Sequence, residues 1–154
     1  MRKLIMKRKK ILFVCTGNTC RSPMAEALLR NKIKRNKIKW WDVASCGIQA
    51  EVGGKISANS KAVLEERGIN TDKFLPRQLT QALIEKSTLV VCMTKSQQTM
   101  LEACGNITCI MDICGFDVPD PYGCSIDVYR LTREALDKAC DKIIENYIKT
   151  FKEE

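Results

Sequence analysis

The sequence predicts an α/β fold: one three-layer domain in which a four-stranded parallel sheet carries helices on both faces. Three observations predict it. Short runs such as Ile11-Leu12-Phe13-Val14 and Thr88-Leu89-Val90-Val91-Cys92-Met93 are apolar at successive positions, as strands buried on both faces must be. Stretches with helical spacing separate those runs. A chain of 154 residues, 45% hydrophobic and 29% charged, holds enough apolar sequence for one core and is not disordered in composition.

The elements follow in order. Ile11 to Val14 is the first strand, ended by a Gly/Asn/Thr cluster. Met24, Ala27, Leu28 and Ile33 share a helical face, with Pro23 in the first turn. Trp40 to Ser45 reads as a second strand closed by Gly47, and Gly53-Gly54 as a loop. Ala58 to Arg67 is helical and stops at Gly68. Leu79 to Lys86 is a short helix, Thr88 to Met93 the third strand, about Lys95 to Ala103 another helix, and Ile107 to Met111 the fourth strand. Val128, Leu131, Ala135, Leu136, Ala139, Ile143, Tyr147 and Ile148 mark the buried face of a long last helix, with Ser125 as its N-cap.

Composition excludes several classes. No apolar run approaches the roughly 18 residues that a spanning helix needs. The apolar run after the basic start is too short for a signal peptide, so a cytoplasmic protein without membrane partners is expected. Nine cysteines could suggest a disulfide scaffold, but the count is odd and Cys92 and Cys109 lie inside apolar runs, as small core residues do. The net charge of +8 is concentrated in Met1 to Lys10 and Arg30 to Lys39. A solvated helix face and a basic tail account for it; a nucleic-acid module would need interleaved aromatics that are missing, and none is expected. A preference for acidic or phosphorylated protein surfaces is compatible with the same charge.

Ligands of parallel sheets bind beyond the carboxyl ends of the strands, which directs attention to Cys15-Thr16-Gly17-Asn18-Thr19-Cys20-Arg21-Ser22-Pro23. A tight loop entering a helix aims unpaired N–H groups and the positive end of the dipole at one point, forming an anion cradle that needs no metal and no cofactor. Gly17 and Asn18 tolerate the positive φ such a loop requires. A thiol at the mouth, Cys15, is activated by the same partial charges. Arg21 supplies a planar fork for two equatorial oxygens, and Ser22 a hydroxyl for the thiolate. The arrangement suits covalent phosphoryl transfer; the bland reading is a helix-start turn with an incidental cysteine.

Other motifs fail. Gly53-Gly54-Lys55-Ile56 is no nucleotide phosphate loop, with Gln49 and Ile56 at positions that call for Gly and for Ser or Thr. Histidine is absent, which excludes Cys-His and Ser-His catalysis and most zinc sites. Cys104, Cys109 and Cys114 lack zinc-knuckle spacing and read as core or loop thiols. Leaving-group protonation then falls to a carboxylic acid, tyrosine or cysteine. Asp117-Val118-Pro119-Asp120-Pro121-Tyr122-Gly123 offers two acids, though taken alone it reads more readily as a polar turn.

The stretch Val14 to Glu26 together with Asp120-Pro121-Tyr122-Gly123 resembles the low-molecular-weight protein tyrosine phosphatase family, over nearly the whole chain after about Lys10. The resemblance implies residues 1–9 as a basic N-terminal extension and 10–154 as the phosphatase domain. It implies Cys15 as the nucleophile that forms a phosphocysteine, Arg21 as the transition-state clamp and Asp120 as general acid and then base. It also implies Thr16, Gly17, Asn18, Thr19, Cys20 and Ser22 around the phosphate, Tyr122 as a wall of the cleft, and Cys20 as a redox partner able to trap oxidised Cys15. The implied partner is a phosphorylated protein; the oligomeric state stays open. Bacterial protein arginine phosphatases of this family carry the same Cys-Thr-Gly-Asn-Thr-Cys-Arg-Ser loop, where many tyrosine-directed members have a bulky aliphatic at the position of Thr19. Phosphoarginine is therefore the expected substrate and phosphotyrosine the alternative, which an aromatic wall at Tyr122 favours. A thiol-coupled arsenate reductase would need resolving cysteines at a spacing that Cys92 and Cys104 do not match. A silent phosphate-binding module would need no nucleophile.

Overall fold

The structure, a computed structural model, describes residues 7–101 and 106–149. Four parallel strands, β1 (Lys9–Cys15), β2 (Trp41–Gly47), β3 (Leu89–Cys92) and β4 (Ile107–Cys109), form one sheet in the order β2-β1-β3-β4. The helices are α1 (Arg21–Arg35), α2 (Ala58–Glu65), α3 (Gln81–Lys86), α4 (Lys95–Met100), α5 (Ile110–Cys114) and α6 (Ile126–Ile143), the last continued by a π-helical turn, Ile144–Ile148. The three-layer α/β expectation holds. β1 takes in Lys9, whose N–H donates to Trp40 O.

The layers follow from the apolar run of β1. Alternate residues face opposite sides of a sheet. Ile11, Phe13 and Cys15 pack into one core with Met24, Leu29, Val63, Leu136 and Ile143 from α1, α2 and α6. Leu12 and Val14 pack into the other with Ile84, Val90, Cys92 and Cys109. β1 is thus buried on both faces and lies inside the sheet. Because β1 connects to β2 on one side while the chain returns to β3 on the other, the strand order reverses beside β1. That reversal opens a crevice at its carboxyl end.

Local chemistry sets the boundaries. Thr80 accepts from Leu83 N–H (3.2 Å), so α3 starts at Gln81 and not at Leu79. Thr94 and Gln97 form a capping box that starts α4. The expected end of that helix at Ala103, and Cys104, lie outside the described residues. β4 stops at Cys109, and Ile110 to Cys114 turns helical instead of extending the strand to Met111; a short apolar run does not separate the two by period. Gly115 closes α5 with φ 86°.

The buried face of α6 also differs from expectation. Leu131 is 70% exposed and Val128 37%, while Tyr129, Thr132, Arg133, Leu136, Ala139, Cys140 and Ile143 turn inward. Tyr129 and Arg133 displace the aliphatic residues because their polar ends find partners inside: Tyr129 Oη meets Cys20 Sγ, and Arg133 donates to Val63 O (2.8 Å) and Glu66 (2.6 Å). Ser125 sits at the N-cap position but makes no side-chain cap bond; its carbonyl takes the N–H groups of Val128 and Tyr129.

Candidate active site

The loop from Cys15 to Arg21 leaves β1 at the crevice and enters α1. Its carbonyls are turned outward by bonds to neighbouring segments. Cys15 O accepts from Ile48 N–H, Thr16 O from Gln49, Gly17 O from Glu51 and Thr19 O from Ser57, at 2.8–3.3 Å. With the carbonyls held outward, the amides face in, and that of Asn18 points at Cys15 Sγ (3.3 Å). The amides of Gly17, Thr19 and Cys20 find no acceptor among the described residues. This is the wiring of an anion nest ahead of a helix N-terminus.

Only Asn18 carries the positive φ that the sequence suggested for both Gly17 and Asn18 (φ 58°). Its amide group then becomes the hub of the loop. Arg77 N–H donates to Asn18 Oδ1 (2.8 Å), so Nδ2 faces Ser22 Oγ (2.8 Å) and Ser45 Oγ (3.0 Å). Ser45 Oγ is 2.9 Å from Glu26 Oε1, which as a carboxylate can only accept. Ser45 therefore donates to Glu26 and accepts from Asn18. Ser22 accepts from Asn18 as well, leaving its own proton for Cys15 Sγ at 2.8 Å, a much shorter contact than the alternative at Cys46 O (3.4 Å). Every donor direction is fixed, and the last one points at the sulfur.

Cys15 is 2% exposed and ends β1. Arg21, 5% exposed, donates to Val118 O (3.0 Å) and lies 3.8 Å from Asp120 Oδ2. A backbone ladder holds that second loop against the first: Val118 N–H donates to Met93 O, and Met93 N–H to Val14 O, the residue before Cys15. The two acids of the loop have different places. Asp117 Oδ1 accepts from Lys95 N–H at the start of α4, whereas Asp120 stands half exposed at the mouth beside Arg21. Residues 15, 21 and 120 are thus drawn to the same end of β1.

Thr16 Oγ1 accepts from Gln97 Nε2 (3.3 Å) and Thr19 is half-buried with its hydroxyl 3.9 Å from Cys20 Sγ. Cys20 lies 3.4 Å from Tyr129 Oη, whose phenol is pushed up to about 12 by burial and by the bond to Cys20. Tyr122 is 74% exposed and its N–H donates to Asp120 Oδ1 (3.1 Å), so it borders the acid from outside. The eight described cysteines are free thiols. Burial pushes Cys46 and Cys92 up to about 12, which suits core residues. Among the described residues no cluster of ligating side chains could hold a metal, and no helix is long and apolar enough to cross a membrane.

Sequence reasoning missed Ser45, Glu26, Arg77 and Gly47. Gly47 lies directly under the loop: a Cβ there would sit 2.5 Å from Thr16 O and 2.9 Å from Asn18 N. Its only signal was a glycine ending an apolar strand.

A buried thiol ending β1 at an amide-lined loop, with an arginine and a carboxylic acid drawn to the same strand end, is an arrangement fit for a phosphoprotein phosphatase of the cysteine-dependent class. The chain belongs to the low molecular weight phosphotyrosine protein phosphatase family, whose profile matches residues 10–154. It is 39% identical to a protein-arginine-phosphatase of Geobacillus stearothermophilus over 88% of this chain and 94% of that one. It is 38% identical to a protein-arginine-phosphatase of Bacillus subtilis over 83% and 89%. A solved YwlE arginine phosphatase, a cysteine-to-serine mutant with a phosphorylated active-site serine, superposes with a TM-score of 0.86 at 32% identity, covering 92% of this chain and 97% of its own.

Proposed function

We propose that this chain is a cysteine-dependent protein arginine phosphatase, residues 10–154 forming the catalytic domain behind a short basic extension. The observation that carries the substrate is Thr19, a half-buried residue on the rim of the anion loop. Its hydroxyl offers a hydrogen bond to a guanidinium where an aliphatic side chain would pack on a phenyl ring. The similarity to two arginine phosphatases over most of the chain supports the same reading.

Cys15 Sγ attacks the phosphorus held by the inward amides and the Arg21 fork. The P–N bond breaks as the S–P bond forms, and Asp120 gives its proton to the departing guanidino nitrogen. Asp120 then takes a proton from water, whose oxygen attacks phosphorus; the S–P bond breaks and phosphate leaves. Ser22 donates to the thiolate before the first step and after the second. Arg21 needs to leave Val118 O to use both arms on substrate. Tyr122 stands where a substrate side chain enters and stacks on a guanidinium or a phenyl ring alike. Cysteines buried as core residues, such as Cys46 and Cys92, suit a reducing compartment, which supports a cytoplasmic enzyme acting on phosphorylated proteins.

The test compares an arginine-phosphorylated protein with a phosphotyrosine peptide at matched concentrations, for the native chain and for Thr19→Ile. The native chain favours phosphoarginine, and Thr19→Ile moves the ratio towards phosphotyrosine. An unchanged ratio removes the basis for phosphoarginine and leaves the tyrosine-directed alternative.

A further inference from the structure

A groove of about 840 Å³ runs along the outer edge of β2, between α1 and the segment 68–77. Its size suits a drug-sized ligand or a short stretch of peptide. Lys9 N–H donates to Trp40 O and Ile48 N–H to Cys15 O, so the even-numbered residues of β2 turn their backbone groups to β1. Val43 and Ser45 therefore turn theirs to the groove. At the top of the edge Gly47 is paired by Arg77 O and Leu79 N–H, as a fifth strand would begin. The chain abandons that path at Pro76, and Phe74 N–H closes a turn on Thr71 O instead. Lower down, the Arg30 guanidinium donates to Val43 O (2.5 Å), standing in for a neighbouring strand.

The walls are basic. Glu26 is paired with Arg30 and Asp42 with Arg8, so both acids of the groove are engaged. Lys34 on α1 and Lys73 and Arg77 on the opposite wall make no ion pair among the described residues. Thr71, on the same wall and 8% exposed, has a hydroxyl without a hydrogen-bond partner. The upper end of the groove is continuous with the catalytic loop, because Ser45 Oγ and Arg77 N–H both bond Asn18.

We propose that this groove docks an extended acidic segment of the protein substrate along the β2 edge, at a distance in sequence from the phosphorylated residue. The backbone groups left open on the edge, Val43 N–H and those of Ser45, select an extended chain, and the unpaired cations on both walls select carboxylates. The identity of the partner as substrate rests on the phosphatase reading; the groove itself does not.

The test uses a fluorescein-labelled, unphosphorylated peptide of about eight residues alternating glutamate and threonine, long enough to span the edge. Binding is measured for the native chain, for Lys34→Glu/Lys73→Glu, and for Lys39→Glu/Lys138→Glu. The second pair is exposed, lies outside the groove and changes net charge equally. The groove variant binds at least about tenfold more weakly, and the control variant stays within about twofold. Both hydrolyse nitrophenyl phosphate at the native rate, while KM for an arginine-phosphorylated protein carrying an acidic segment rises only in the groove variant. Equal losses in the two variants, or native binding by the groove variant, overturn the proposal. So does a dimer in sedimentation that the peptide fails to displace, since a second copy then fills the edge. If the native chain hydrolyses no phosphoprotein yet binding follows the expected pattern, the phosphatase reading fails and the groove stands.

Discussion

Replacing Gly47 by alanine places one methyl group under the catalytic loop. The added Cβ would lie 2.5 Å from Thr16 O, 2.9 Å from Asn18 N and 3.0 Å from Gly17 C, all backbone atoms that no rotamer change relieves. Ordinary contact begins near 3.4 Å, so the loop must rise by about 0.9 Å or β2 must fall. β2 is held by its register with β1 and by the bonds of Gly47 to Arg77 and Leu79, whereas the loop carries amides that face inward. The loop is the softer side. Gly47 has no positive φ, so alanine adds no backbone strain and the effect is steric. A misplacement of about 1 Å at reacting groups costs about 100-fold in rate, and overpacking of this kind costs about 1–3 kcal/mol of stability. The assay is steady-state hydrolysis of nitrophenyl phosphate beside thermal unfolding. kcat/KM falls about 100-fold while the chain remains folded at 25 °C. A lowered Tm with kcat/KM within threefold of native would refute the reasoning, because it would mean that the sheet yields and the loop does not.

Asp120→Ala slows hydrolysis of phenyl phosphate by about 100-fold and that of nitrophenyl phosphate much less, since only the poor leaving group needs a proton; equal losses on both would remove Asp120 as the acid. Asn18→Ala deletes the hub amide and forces alanine to φ 58°, whereas Asn18→Gly deletes the amide alone. Thermal unfolding should therefore separate the two by about 1 kcal/mol while kcat/KM falls alike in both, and recovery of activity by glycine would show that the amide network is dispensable. Glu66 is held down to about 2 by hydrogen bonds from Arg130 and then Arg133. A depressed carboxylate contributes stability that is whole above its unfolded range near 4.5 and is lost as pH falls towards 2. Glu66→Gln therefore lowers Tm at pH 7 and converges with the native chain near pH 2; a constant gap across that window would contradict the assignment.

Much of the site was legible because its chemistry is local. Strand, loop and helix N-terminus are consecutive, so Cys15 to Ser22 can be read as one anion cradle from residue types and spacing alone. The order of strands and helices was equally legible, since apolar runs buried on both faces leave few alternatives to a parallel sheet. Asp120 was weaker, because a polar turn with two acids looks the same whether or not it reaches the loop. Only the folded chain separates it from Asp117: Asp120 stands 3.8 Å from Arg21, while Asp117 accepts from Lys95 N–H at the start of α4.

What escaped the sequence was set by contact between distant segments. Ser45, Glu26 and Arg77 matter because folding brings Ser45 Oγ and Arg77 N–H to the Asn18 amide, whose donors and acceptor must all be satisfied in the interior, and brings Glu26 to Ser45. The rotation of α6 was decided the same way, by Tyr129 and Arg133 finding partners that a hydrophobic pattern does not weigh. The sequence alone determined the layered architecture and singled out the proposed nucleophile with its cradle, because backbone periodicity and a loop's own amides need only neighbours in the chain. The tertiary structure decided the orientation of every proton around the sulfur, the choice between the two acids and the exposed edge of β2. Hydrogen bonds and close packing are settled by distance in space, and a linear string does not contain it.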